Sequence, residues 1–216
     1  MSREDRLGHP SNTDGLRPIR LAVPDELRAG SLLLRTWDPE EVDEFERAVL
    51  ENLEHLRPWM PWVALEPVPI EDRVGRIERW AREAREGTDW SVGVFVDGAV
   101  AGSAGLHQRR DPGVLEIGYW LGESFTGRGV ATLASYLLTE FAFENEGTEA
   151  VEIWHDRANH RSGGVPRRLG FELIEERPAD PYARAPGDEG IDCRWRITRA
   201  NWPLRRPSPE DVLLRT

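Results

Sequence analysis

The sequence predicts an α+β fold, with helices layered on a mixed β-sheet. Two amphipathic helical patterns precede residue 88, and a run of alternating apolar residues with tight turns begins at Trp90. Beyond it, helical and strand-like segments interleave, which brings strands of both directions into one sheet. At 216 residues the chain is long enough to bury one substantial core, and no linker or internal repeat divides it.

The elements follow in order. Residues 31–35 (SLLLR) read as a first strand. Asp38, Pro39 and Glu41 then supply an N-cap, a first-turn proline and a capping-box acid. Val42, Phe45, Val49, Leu53 and Leu56 recur at helical spacing until Pro58 ends the pattern. A second helix is marked by Ile70, Val74, Ile77, Ala81 and Ala84, closing near Gly87. From Trp90 the period becomes two, through Val92, Val94 and Val96, and Asp97-Gly98 is a hairpin turn. A second meander strand spans residues 99–107, Asp111-Pro112-Gly113 turns the chain, and a third strand spans 114–121. Gly127-Arg128-Gly129 leads into a helix striped with Val130, Leu133, Ala134, Leu137, Leu138 and Phe141, stopped at Glu146-Gly147. Residues 150–154 form a strand, 162–168 a short helix and 171–175 a strand; Ile191, Cys193, Trp195 and Ile197 alternate in the last strand.

Residues 1–27 are rich in Pro, Gly, Asn and charge without a steady period, and read as an extension that is flexible or laid over the domain. The domain proper spans 28–200, and 201–216 form a tail opened by Pro207-Ser208-Pro209. No apolar run of about 18 residues and no signal-peptide pattern is present, so a cytoplasmic protein without a membrane partner is expected. A net charge of −11 argues against nucleic acid, whose phosphates require clustered basic residues, and fits a cationic or amine-bearing partner. The lone Cys193 excludes a disulfide framework and reads as a buried thiol. His155, His160 and the acids lack metal-ligand spacing, so no metal is expected. Of the nine tryptophans, Trp37, Trp80 and Trp195 read as core.

The most informative segment is Glu116-Ile117-Gly118-Tyr119-Trp120-Leu121-Gly122, followed by Thr126-Gly127-Arg128-Gly129-Val130-Ala131-Thr132. A strand, a glycine-rich turn and a helix start bring unpaired backbone N–H groups and the positive helix end to one point, a site suited to phosphate oxygens. A tight strand-to-helix connection would also use these glycines. No Gly-Lys-Ser/Thr follows, which excludes the phosphate-loop NTPase pattern. The dinucleotide fingerprint is incomplete, with Thr132 in its third glycine position, and the antiparallel meander disfavours a doubly wound nucleotide-binding fold.

This stretch resembles the acetyl-CoA site of the GNAT superfamily, whose loop reads Gln/Arg-x-x-Gly-x-Gly/Ala; Gly129 and Ala131 match, and Thr126 departs from the first position. Three further segments resemble the RimJ/RimL branch, named for ribosomal-protein N-terminal acetyltransferases: residues 56–62 (LRPWMPW), the strand end 118–121 (GYWL), and 156–162 (DRANHRS) leading to 169–171 (LGF). In order and spacing the likeness covers residues 28–200. It implies a single domain with a splayed sheet and a pantetheine arm lying in the gap. The donor would be acetyl-CoA and the acceptor a peptide or protein α-amino group or a small amine. The cofactor contacts implied are Trp120, Leu121, Gly127, Arg128, Gly129, Val130, Ala131, Thr132 and Asn159. Ser162 would lie near the sulfur, and Trp59 and Trp62 would line the acceptor site. A homodimer is compatible with the likeness.

Amine acylation requires a neutral amine, a polarised thioester and stabilisation of the departing thiolate. Glu116 shares a strand face with Gly118 and Trp120 and could take the amine proton directly or through water, and His107 ends the neighbouring strand as a second candidate base; a strand glutamate is also often solvated or ion-paired, and a lone histidine often structural. Family bases vary, a water chain can serve, and Asp180 is a loose positional match for an acid found after residue 171. Ser162 is a candidate donor to sulfur or a helix cap. An acyl-CoA-binding module without catalysis is the alternative function, separated from an enzyme by thiol release from acetyl-CoA.

Overall fold

The structure, a computed structural model, describes residues 19–208 and residue 212. Its elements are β1 (Leu27–Ala29), β2 (Leu32–Thr36), α1 (Val42–Leu50), α2 (Leu53–Leu56), α3 (Ile70–Glu86), β3 (Trp90–Val96), β4 (Ala99–His107) and β5 (Val114–Leu121). These are followed by α4 (Val130–Glu144), β6 (Ala150–Asp156), α5 (His160–Arg168), β7 (Glu172–Pro178), β8 (Ile191–Thr198) and α6 (Trp202–Arg205). The eight strands form one sheet in the order β1-β2-β3-β4-β5-β6-β8-β7, antiparallel except for the parallel β5–β6 pair. This is the mixed α+β architecture that the sequence predicts.

Alternation along the strands divides the core between two faces. Leu32, Leu34, Val92, Val94, Leu106, Leu115 and Ile117 pack with Val130, Leu133, Leu138 and Phe141 of α4. On the opposite face Phe95 and Trp37 pack with Phe45 and Val49 of α1 and Ile77 of α3, with Trp80 and Trp120 against them. Trp195 belongs to the α4 side of the core. Cys193 is buried there too, and burial together with the neighbouring Glu176 pushes its thiol up to about 11.

The capping box forms as the sequence indicates, Asp38 accepting from Glu40 N–H and the Glu41 carboxylate reaching back to Asp38 N–H. The helical period that runs through Leu53 is interrupted at Asn52, whose amide donates to Ala48 O and whose Oδ1 accepts Glu123 N–H. That long-range bond ties α2 to the chain beyond β5. Strand β1, absent from the sequence reading, pairs with β2 through the turn at Gly30. Ahead of it Ile19 and Leu21 are buried in the core, with Leu21 N–H bonding Gly87 O at 2.9 Å. Residues 1–18 of the expected extension, and 209–211 and 213–216 of the expected tail, lie outside the described residues.

The feature that positions the site is where β5 and β6 part. They pair only from Val114↔Ala150 to Ile117↔Ile153. Beyond that, Gly118–Leu121 stay with β4, whereas Trp154–Asp156 stay with β8. The Asp156 carboxylate fixes the divergent end by accepting from the N–H groups of Ala158, Glu189, Gly190 and Ile191. Burial alone would raise its pKa, but these donors outweigh it and hold Asp156 below the ordinary value.

Candidate active site

After β5 a 3₁₀ turn at Glu123–Phe125 leads to the glycine-rich loop, and the Thr126 hydroxyl is committed to Glu123 O at 2.8 Å. Gly127 and Gly129 have φ of 75° and 88°, a region that side-chain-bearing residues enter only with strain. Gly129 is the N-cap of α4 and offers no side chain to cap it. Leu133 N–H, bonded to Gly129 O, closes the first turn. The N–H groups of residues 127–132 lie in this turn and in the first turn of α4, ahead of the Leu133 bond. Main-chain donors of a helix start without a side-chain cap and the positive end of a 15-residue helix therefore lie together here. Arg168, from the last turn of α5, adds a cation here by donating to the Thr132 hydroxyl at 3.1 and 3.2 Å.

From this loop a cleft of about 880 Å³ runs into the gap between β5 and β6. Its walls are residues 119–121, the loop from 126, the start of α5 from Ala158 to Val165, and Leu56 with Pro58–Met60. The volume is that of a large organic ligand. Because β6 has turned away, the β5 edge at residues 119–121 offers main-chain groups for strand-like pairing with a linear amide chain.

Asn159 caps α5, its Oδ1 accepting Ser162 N–H at 3.1 Å. The Ser162 hydroxyl lies 2.9 Å from the Tyr119 hydroxyl, which also approaches Ser162 O at 3.3 Å. Pro166, four residues on, lacks the N–H that would bond that carbonyl in a regular helix. Burial pushes the Tyr119 phenol up to about 12, with the Ser162 bond opposing the rise. Gly163 lets α5 approach β6, since a Cβ there would sit 2.7 Å from the His155 ring. That ring is held by Asp156 O and the Trp195 indole, and burial lowers its pKa.

The structure brings Trp59, Trp120, Leu121, Gly127, Gly129, Val130, Ala131, Thr132, Asn159 and Ser162 onto one cleft. It keeps other candidates away. Glu116 is buried and held by Arg109 at 3.2 Å and Arg110 at 3.0 Å, and His107 Nδ1 lies 3.0 Å from Asp89. These two face each other across β4–β5, four strand positions before Trp120, or about 13 Å at 3.3 Å per residue. Neither lines the cleft. Arg128 lies off the wall, its guanidinium near the Phe125 ring, and Trp62 packs behind Trp120 at 6.2 Å. Asp180 is exposed and caps its own turn through Tyr182 N–H. The titratable groups that line the cleft are instead Glu54, His55 and His160, with Tyr119, Arg161 and Arg168. Among the described residues, no group of three or more His, Cys, Asp or Glu could hold a metal, and no helix is long and apolar enough to cross a membrane.

The sequence profile described as an acetyltransferase (GNAT) domain matches residues 31–172. The chain belongs to the GNAT acetyltransferases. A GNAT enzyme uses acetyl-CoA as donor and an amine as acceptor, and the phosphate loop and edge-lined cleft suit that donor. A protein of Bacillus subtilis (strain 168) named "Putative ribosomal N-acetyltransferase YdaF" is 28% identical over 142 residues, 65% of this chain and 77% of that protein. Two solved structures share the fold. One is the ribosomal L7/L12 alpha-N-protein acetyltransferase RimL with coenzyme A (23% identity, TM-score 0.70, 82% of this chain and 97% of that one). The other is Mycobacterium smegmatis RimJ with a CoA disulfide (22% identity, TM-score 0.70, 94% and 95%).

Proposed function

We propose that this GNAT enzyme acetylates the α-amino group of a peptide or protein, and that Ser162 stabilises the departing thiolate. The observation that carries the reading is the Ser162–Tyr119 hydroxyl pair on the cleft wall, in a site whose walls, among the described residues, offer no buried carboxylate as a strong base. The names of the ribosomal-protein relatives support the same acceptor class.

In the reaction the neutral amine attacks the thioester carbonyl, forming the C–N bond as the π pair moves onto oxygen. Collapse breaks the C–S bond and leaves its electron pair on sulfur, while the nitrogen proton departs to water. The 127–132 amides and Arg168 would hold the phosphates, residues 119–121 and Asn159 the arm, and Trp59 the acceptor side. Acidity selects among acceptors: with a pKa near 7.7–8.0, roughly a third of an α-amine is neutral at pH 7.5, against about one part in a thousand of a lysine at about 10.4. His55 and His160 line the wall and suit the relay of a proton already easily lost. A cytoplasmic location gives such an enzyme newly made N-termini.

Thiol release from acetyl-CoA, measured over peptides with free or blocked N-termini and over small amines, tests this. Turnover should require the free α-amine. Efficient acetylation of internal lysines, with none of N-termini or small amines, overturns it.

A further inference from the structure

Ser162 presents one hydroxyl, and a hydroxyl has one proton to give. In a cleft its direction decides whether it meets sulfur. Two features of the fold bear on that direction. Pro166 leaves the Ser162 carbonyl without its helical donor, and the Tyr119 hydroxyl stands within reach of both that carbonyl, at 3.3 Å, and Ser162 Oγ, at 2.9 Å.

The geometry points to Tyr119 as a positioning residue for acetyl transfer, one whose hydroxyl turns the Ser162 hydroxyl onto the departing sulfur without itself touching the reacting atoms. The inference rests on the role given to Ser162 above. Tyr119 has one proton and two acceptors. With that proton on the carbonyl, the phenol oxygen accepts from Ser162, whose donor is then engaged. As charge gathers on sulfur, Tyr119 rotates its O–H onto Ser162 Oγ, and Ser162 rotates its own O–H onto the sulfur. No heavy atom moves and no covalent bond to hydrogen breaks. The two hydrogen bonds reinforce each other because they form one chain, from the phenol to Ser162 Oγ and from Ser162 to the sulfur on which charge develops.

Proton donation by the phenol itself does not compete. At about 12 the Tyr119 hydroxyl lies far above a thiol of about 8.5, so full transfer to the thiolate is unfavourable by more than a thousandfold. The phenol stays protonated throughout the working range, which is what a fixed donor to Ser162 requires. The sequence carries this device as a tyrosine in a strand and a proline four residues after a serine, a spacing that reads as a helix defect until the strand is beside it.

The test is a double-mutant cycle of Tyr119→Phe and Ser162→Ala, read by single-turnover acetylation of a free N-terminal peptide and by calorimetric binding of acetyl-CoA. Tyr119→Phe keeps the ring and should leave binding within about twofold while lowering turnover roughly threefold to thirtyfold, a fraction of what one positioned donor supplies. Ser162→Ala should cost roughly tenfold to a thousandfold, and adding Tyr119→Phe to it should cost nothing more. A polyfluorinated tyrosine at 119 should lose turnover as its more acidic phenol ionises, at a pH that moves with the degree of fluorination; a packing role would show no such movement. Full turnover in Tyr119→Phe with an impaired Ser162→Ala overturns the role of Tyr119 and leaves Ser162 standing. Equal losses from Tyr119→Phe in both backgrounds also overturn it, because Tyr119 then acts without Ser162. Full turnover in Ser162→Ala removes the role of Ser162, and this inference with it.

Discussion

Replacing Gly129 with alanine isolates the loop's contribution to donor binding. The residue sits at φ 88° as N-cap of α4. An L-residue there costs about 1–2 kcal/mol, which for a chain of this size lowers Tm by roughly 2–8 °C. If the loop instead relaxes to negative φ, the 127–132 amides turn away from their common focus. Each amide bonded to a phosphate is charge-assisted and contributes about 1.5–3 kcal/mol. Losing two gives about 3–6 kcal/mol, a weakening of acetyl-CoA by roughly 10²–10⁴. Gly75→Ala is the control, because that glycine lies inside α3 with open space around it, and alanine there should stabilise by about 0.5–1 kcal/mol without touching the ligand. Calorimetry should compare acetyl-CoA with acetyl-pantetheine, which lacks the diphosphate. The effect should appear with the first and nearly vanish with the second. A folded Gly129→Ala protein with wild-type affinity for acetyl-CoA would show that the phosphates bind elsewhere.

Two further outcomes follow from the same geometry. Arg168→Met should weaken acetyl-CoA about fivefold to tenfold by titration, the low end for a charge-assisted bond because Arg168 is exposed, and added salt should shrink the difference. Asp156→Asn should destabilise the protein near neutral pH in denaturant titrations. Because the folded-state pKa of Asp156 is depressed, its contribution is complete above the ordinary carboxylate value of about 3.9 and is lost as pH falls through the folded value. The gap between mutant and wild type should therefore close in acid, and a gap that persists there would assign the loss to packing.

Local patterns carried most of the fold into view from sequence. The capping box at Asp38, the Asp97-Gly98 turn and the helical stripe of α4 each depend on residues within a few positions of one another. The glycine loop was legible for the same reason. What local patterns do not carry depends on distant contacts. The break at Asn52 exists because Glu123 claims its side chain, 71 residues away. Tyr119 was visible only as one letter of a strand motif, since its partner Ser162 lies 43 residues on. Arg168 ends α5, and the fold turns it toward the start of α4, 36 residues back along the chain.

Glu116 shows how far a local reading reaches. The period of two rightly put it on one face with Gly118 and Trp120, but periodicity does not say what lies across the sheet. Across β5–β6 stands Glu152, fully buried, so two carboxylates face each other at the last stretch where these strands pair. Unneutralised, they would repel in a poorly screened setting. Arg109 and Arg110 answer the first; Arg194 and Arg196 answer the second. Arg110 and Arg194 also lie near the Trp154 ring, with Arg110 3.9 Å from its centroid, where β6 begins to leave β5. Glu116 is thus part of the joint from which the sheet opens. Its substitution by glutamine should then register first as lost stability, with donor affinity falling only as far as the joint loosens.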